Sequence, residues 1–213
     1  SMLPPMLTAR AAPGTMVLEG KLYVMGGSGP HGLLYLNMVE CYDPAAEQWV
    51  VVPPTPSTRG APTPAVLEGK LYVVGGWDPD GGGSLNTVER YDPKAKRWST
   101  LPPMPTARYG AGTAVLDGKL YVVGGCENSE DPSSTLNTVE YYDPKTDQWR
   151  TLRPMPTARN MLSAAELTTL GRALASARSL GTLILSGNPL DATAVADLCG
   201  GLAESEHVAL NEI

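Results

Sequence analysis

Three copies of one pentapeptide, Gly20-Lys21-Leu22-Tyr23-Val24, Gly69-Lys70-Leu71-Tyr72-Val73 and Gly118-Lys119-Leu120-Tyr121-Val122, recur at offsets of 49 and 49 residues. The first three quarters of the chain is one structural unit copied in tandem, and a repeat of that length usually means the blade of a propeller. Each copy continues in the same order. Paired glycines (Gly26-Gly27, Gly75-Gly76, Gly124-Gly125) are followed by Tyr42-Asp43-Pro44, Tyr91-Asp92-Pro93 or Tyr142-Asp143-Pro144, and then by Trp49, Trp98 or Trp149. Tyrosine to tryptophan is seven residues each time.

Strands follow from composition. In the third copy, 110–116 is small and β-permissive, 119–123 is apolar, 138–142 alternates and 148–152 carries the tryptophan. Four strands per copy make one blade. Glu19-Gly20, Glu68-Gly69 and Asp117-Gly118 predict tight hairpin turns between the first two strands, because glycine supplies the positive φ that primed turns need. The paired glycines end the second strand, where the missing Cβ lets backbones come close near a propeller axis. Pro-rich joints at 53–56, 102–105 and 154–156 carry the outer strand of one blade to the inner strand of the next. Proline there fixes φ and removes donors that a sheet would require. Lengths differ in one place: from the second paired glycine to the tyrosine takes 15, 15 and 17 residues, so loops 28–36, 77–85 and 126–136 are where the copies diverge.

With an arginine ahead of each unit (Arg10, Arg59, Arg108, Arg159), this double-glycine, tyrosine and tryptophan pattern resembles the kelch repeat of β-propellers over residues 3–160. The resemblance implies a mainly β fold, a partial kelch-type propeller of three four-stranded blades. Kelch propellers of the ubiquitin-adaptor kind use arginines near this edge to grip acidic peptides. Recurrence in every blade instead suits a brace between neighbouring blades, which is the preferred reading. In those adaptors the ligand-gripping position lies two residues further on, where this chain has Ala12, Ala61 and Gly110, none able to hold a carboxylate.

Galactose oxidase and sialate epimerases also use kelch-type propellers. Copper chemistry needs converging histidines with tyrosines, and the histidines here are His31 and His207, in different segments. No GxSxG elbow, Walker loop or HExxH helix occurs. An enzyme with a sugar or carbonyl substrate is the second reading; the first is non-catalytic, with no cofactor or metal expected.

Composition narrows the partners. The formal charge is −6 and no run of Lys or Arg forms a stripe, which argues against nucleic acid or an anionic membrane surface. Neither end carries a segment apolar enough to span a bilayer. The three cysteines, Cys41, Cys126 and Cys199, fall at unrelated spacings without a CxxC pair, so a disulfide framework is not expected and a reducing, cytoplasmic setting is the simplest inference.

After Arg159 the repeat stops. Residues 163–177 are rich in Ala, Leu and Glu at helical spacing. Leu180, Leu183, Leu185, Asn188 and Leu190 then fit an LxxLxLxxNxL segment, which resembles a leucine-rich repeat. The expected organisation is kelch blades over 1–160 and a small α/β leucine-rich-repeat segment over 161–213. Both arrays are incomplete, since propellers close with about four to eight blades and solenoids need about three units. The expectation is a fragment of a longer chain, with self-association through open propeller edges, or one without autonomous function.

The candidate contact residues for a protein partner lie in the diverging loops: Ser28 and His31 in the first, Trp77, Asp78 and Asp80 in the second, Cys126, Glu127, Asn128 and Glu130 in the third. An aromatic among carboxylates favours a basic partner; the plain alternative is a solvated loop. The function expected is a protein-interaction scaffold or adaptor.

Overall fold

A computed structural model describes residues 3–30, 34–78, 83–128 and 131–160. Three four-stranded antiparallel sheets follow one another. The first contains β1 (Gly14–Leu18), β2 (Lys21–Met25), β3 (Val39–Asp43) and β4 (Gln48–Val52), in that spatial order. The second contains β5 (Thr63–Leu67), β6 (Lys70–Val74), β9 (Val88–Asp92) and β10 (Arg97–Leu101). A two-stranded hairpin, β7 (Trp77–Asp78) with β8 (Gly83–Ser84), sits in its loop. The third contains β11 (Gly112–Leu116), β12 (Lys119–Val123), β13 (Val139–Asp143) and β14 (Gln148–Thr151). The expected strands of the third copy are all present, one with the same ends and the others with ends shifted by no more than two residues, and each tryptophan lies on the outermost strand. The small β7–β8 hairpin was not expected. The leucine-rich segment expected over 161–213 lies outside the described residues.

The hairpin chemistry is as the turn residues require. Glu68 and Gly69 both have positive φ, 51° and 67°, as do the equivalent residues of the other two blades. A turn with two positive-φ residues matches the right-handed twist of the strands it joins.

The core lies between blades, and strand alternation puts it there. On β6, Leu71 and Val73 pack towards the first blade with Met16, Tyr23, Met25 and Tyr91. Tyr72 and Val74 point the other way, into a second cluster with Met104, Leu120, Val122 and Tyr142. A strand buried on both faces is why Lys-Leu-Tyr-Val-Val reads as a continuous apolar run. On the face of the first blade that points away from the second, Val17 is 57% exposed, whereas its equivalents Val66 and Val115 pack against the two clusters.

Two polar clasps join each blade to its neighbour. At the outer edge, Trp98 Nε1 donates to the carbonyl oxygen of Pro53 at 2.7 Å, and Trp149 Nε1 to Pro102 at 2.9 Å. Trp49 makes the same bond to Pro4, at 2.9 Å. Near the ends of the second strands, the N–H groups of Gly27, Gly76 and Gly125 donate to the carbonyls of Arg59, Arg108 and Arg159 at 3.0, 3.0 and 2.8 Å.

The arginine side chains turn into the blade that follows each joint. Arg59 Nη1 donates to the Gly75 carbonyl at 2.7 Å and its Nη2 lies 2.8 Å from Glu89. Arg108 repeats this with Gly124 and Glu140, and Arg10 with Gly26 and Glu40. All six charged side chains are withdrawn from solvent. Arg59 and Arg108 thus span from one blade to the next, main chain to the preceding blade and guanidinium to the following one. Gly75 shows why this joint tolerates no side chain: its φ is 57°, and a Cβ would lie 2.2 Å from the Arg108 carbonyl oxygen.

Candidate functional site

At the end of the blades opposite the tight turns, three loops run from the second to the third strand. Each is pinned to the joint before its blade. Gly60 and Trp77 exchange two backbone hydrogen bonds at 2.8 Å, Tyr109 and Cys126 two at 3.0 Å, and Ala11 and Ser28 two at 2.8 and 2.9 Å. Each loop is also pinned to the joint that follows, through Leu36 to Arg59, Leu85 to Arg108 and Leu136 to Arg159. Loops held at both ends present side chains from fixed positions, so divergence in sequence becomes divergence in surface.

The first loop folds on itself through Gly29 and Leu34, and Tyr35 lays its ring against Gly60, where a Cβ would sit 2.1 Å from the ring. Ser28 is half-buried; His31 lies outside the described residues. In the second loop the Trp77 ring meets Tyr109 edge-on at 5.5 Å and is half-buried. Packing against Tyr109 withdraws part of this candidate contact residue from solvent. Asp78, also half-buried, lies within coulombic reach of Arg59, and Asp80 is outside the described residues.

The third loop is the longest and the most polar. Asp131 accepts from Ser133 N–H at 2.8 Å and caps a single 3-10 turn, Pro132–Ser134. Ser134 Oγ accepts from Asn128 N–H at 3.0 Å, closing the loop. Glu127, Asn128 and Asp131 are exposed, while Glu130 is outside the described residues. Cys126 is only 3% exposed, its thiol 3.0 Å from Ser134 Oγ, so its side chain offers no outward contact. Burial pushes this thiol up, but hydrogen bonds from Ser134 and Tyr109 outweigh it and hold the thiol below its ordinary value. Burial and the same contact push the Tyr109 hydroxyl up to about 12. Ser84 Oγ reaches across from the second loop to the carbonyl of Glu127 at 2.6 Å, joining the second and third loops into one surface.

At this end of the blades the second loop carries Asp78 beside the half-buried Trp77, and the adjoining third loop carries the exposed Glu127 and Asp131, which together make an acidic rim. Among the described residues, no three His, Cys, Asp or Glu side chains converge as a metal ion would need. No helix among them is long and apolar enough to cross a membrane. Tyr35 and Tyr109, which shape the rim, went unnoticed in the sequence because they lie at unequal positions outside the repeated motif. The buried glutamates Glu40, Glu89 and Glu140 were missed too, although each leaves a signal: it follows a valine in the third strand of its copy, two residues before the tyrosine.

Repeated four-stranded blades clasped edge to edge, with variable loops at one end, define a β-propeller architecture of the kelch type. The chain belongs to the family described as the KLHDC2/KLHL20/DRC7 Kelch-repeats domain, whose sequence model matches residues 4–174. That match runs past the expected boundary at 160. Among solved structures, the chain is similar to that of YjhT, with a TM-score of 0.61 and 23% sequence identity. The alignment covers 73% of this chain and 55% of that one, so the chain spans about half the length of the protein it resembles in fold. No curated protein sequence matches it.

Proposed function

We propose that the chain is a non-catalytic protein-interaction scaffold that holds a partner through the second-to-third-strand loops. Kelch-repeat domains commonly bind proteins, and the observation that carries the reading here is the contrast between frame and loops. The blade frame repeats residue for residue in its clasps and ion pairs, while the three loops on it share neither sequence nor, in the third case, length. The acidic rim of Asp78, Glu127 and Asp131 favours a basic segment in the partner. Two buried, unpaired thiols, Cys41 and Cys126, suit a reducing compartment such as the cytoplasm. A second copy of the chain is a further partner, through the part of the first blade where Val17 is exposed.

The test replaces residues 77–83 and 126–134 with short Gly/Ser turns in the full chain and compares affinity capture with the parent, identifying what is lost. Loss of a specific partner with an unchanged melting temperature supports the reading. Retention of every partner by a folded double loop variant places binding elsewhere.

A further inference from the structure

We propose a second binding site, distinct from the loop rim: a groove at the turn end of the second blade that takes an acidic, extended polypeptide segment. The groove, about 380 Å³, is lined by Lys70, Arg90, Asp92, Arg97, Trp98 and Ser99.

The repeat supplies its own control. Lys70, Asp92 and Trp98 recur in all three blades, as Lys21, Asp43 and Trp49 and as Lys119, Asp143 and Trp149, so they belong to the frame. Arg90 and Arg97 do not recur. Their positions hold Cys41 and Gln48 in the first blade and Tyr141 and Gln148 in the third. In the adjoining turn Lys96 stands where the other blades have Glu47 and Asp147, while Lys94 is matched by Lys145 in the third blade and by Ala45 in the first. One blade has gathered cations at sites where the fold needs none, in a chain whose net charge is −6.

Register places these cations together. Arg97 is paired with Asp92 and Ser99 with Arg90 across β9 and β10, so Arg90, Asp92, Arg97 and Ser99 share one face. The local carboxylates are partly engaged already. Asp92 lies 3.5 Å from Lys70 and accepts from the N–H groups of Lys94 and Ala95. Asp147, facing from the third blade, accepts from the Tyr142 hydroxyl, and Glu68 lies on the neighbouring turn. Arg90 lies directly across from the buried Tyr72 on β6. Arg97, Lys94 and Lys96 are exposed and have no ion-pair partner among the described residues.

A polypeptide fits better than another polyanion. β10 is the outermost strand of its sheet, so its outer edge carries backbone donors and acceptors that an extended chain satisfies and a nucleic acid does not. A long polyanion would also meet the acidic remainder of the surface. Carboxylates spaced two residues apart on an added strand, about 7 Å at 3.4 Å per residue, match the spacing of side chains along β10.

The experiment measures fluorescence polarisation of a labelled peptide of alternating Glu and Thr with the full chain. The comparison set is Arg97→Glu, Arg90→Gln and, as a control on an exposed cation of the third blade, Arg150→Glu. Arg97→Glu is expected to weaken binding about tenfold or more, with an unchanged melting temperature because Arg97 is exposed; Arg150→Glu is expected to leave binding unchanged. Binding should also weaken as salt rises past about 0.15 M, where the Debye length falls below about 8 Å. No binding by the parent chain, equal binding by Arg97→Glu, or a single-stranded oligothymidylate binding as tightly as the peptide would overturn the proposal. The loop-exchanged chain retains this groove, so failure here and failure of the loop reading are separable.

Discussion

The guanidinium of Arg108 and the carboxylate of Glu140 meet at 2.9 Å with both side chains shut away from water. Removing one partner leaves a buried charge without its counter-charge. Arg108→Ala should therefore destabilise the fold by about 3–5 kcal/mol. Replacing both, as Arg108→Met with Glu140→Leu, should recover much of that loss, since two apolar side chains escape the desolvation cost. Urea unfolding of the two variants checks this. Partner affinity per folded molecule should be unaffected by Arg108→Ala; unchanged stability with lost binding would return the arginine to a ligand-gripping role.

Gly75 and Gly69 separate conformational strain from steric exclusion. Both have positive φ, but nothing lies within 4 Å of a Cβ built on Gly69, whereas one on Gly75 meets the Arg108 carbonyl. Gly69→Ala should cost about 1–2 kcal/mol, the left-handed penalty alone. Gly75→Ala should cost at least about 2 kcal/mol more, because the inter-blade carbonyl must move. Equal melting temperatures for the two variants would show that the close approach does not constrain the joint.

How far the sequence could be read depends on how often a device is repeated. Blades, turns and arginine joints were legible because the same residue returns after 49 positions, and a residue that returns is answering to the frame. The tryptophan clasp was half visible: the indole positions were plain, but nothing in a sequence says that the Nε1 hydrogen is taken by a proline carbonyl about one repeat earlier. The loops were legible only as places of divergence. That Trp77 tucks against Tyr109 while Cys126 turns inward depends on side-chain packing between non-repeated residues, for which the chain contains no second example.

Acid should loosen the first blade by a definite route. Burial alone would raise the Glu40 carboxyl, but hydrogen bonds from Thr8, Arg10 and the Leu7 N–H outweigh it and leave the group below its ordinary value of 4.5. A depressed folded-state pKa means the unfolded chain binds more protons in that window. The contribution is then fully present above about pH 4.5 and fades as pH falls through the lower folded value. Stability of the parent should fall more steeply below pH 4.5 than that of Glu40→Gln, which has lost the titrating group. Parallel pH profiles by thermal melting would contradict the assignment.

Two exposed apolar side chains share one face of the first blade by register: Val17 and Val51 are 57% and 65% exposed. Such a patch favours association. Sedimentation of the purified chain should be concentration-dependent, and Val17→Lys with Val51→Lys should shift it towards monomer without lowering the melting temperature. A parent chain that sediments as a monomer at every concentration would show that the patch does not associate.

The Trp98-to-Pro53 clasp implies something about how such a chain changes length over evolutionary time. Every unit brings the indole that reaches back and the carbonyl that awaits the next indole, so each blade is both plug and socket. A duplicated stretch of one period inserts with both couplings intact wherever its cut falls within the unit. Copy number can therefore change in single steps without any new interface chemistry, and the loops of the added blade are free to drift apart from their parent.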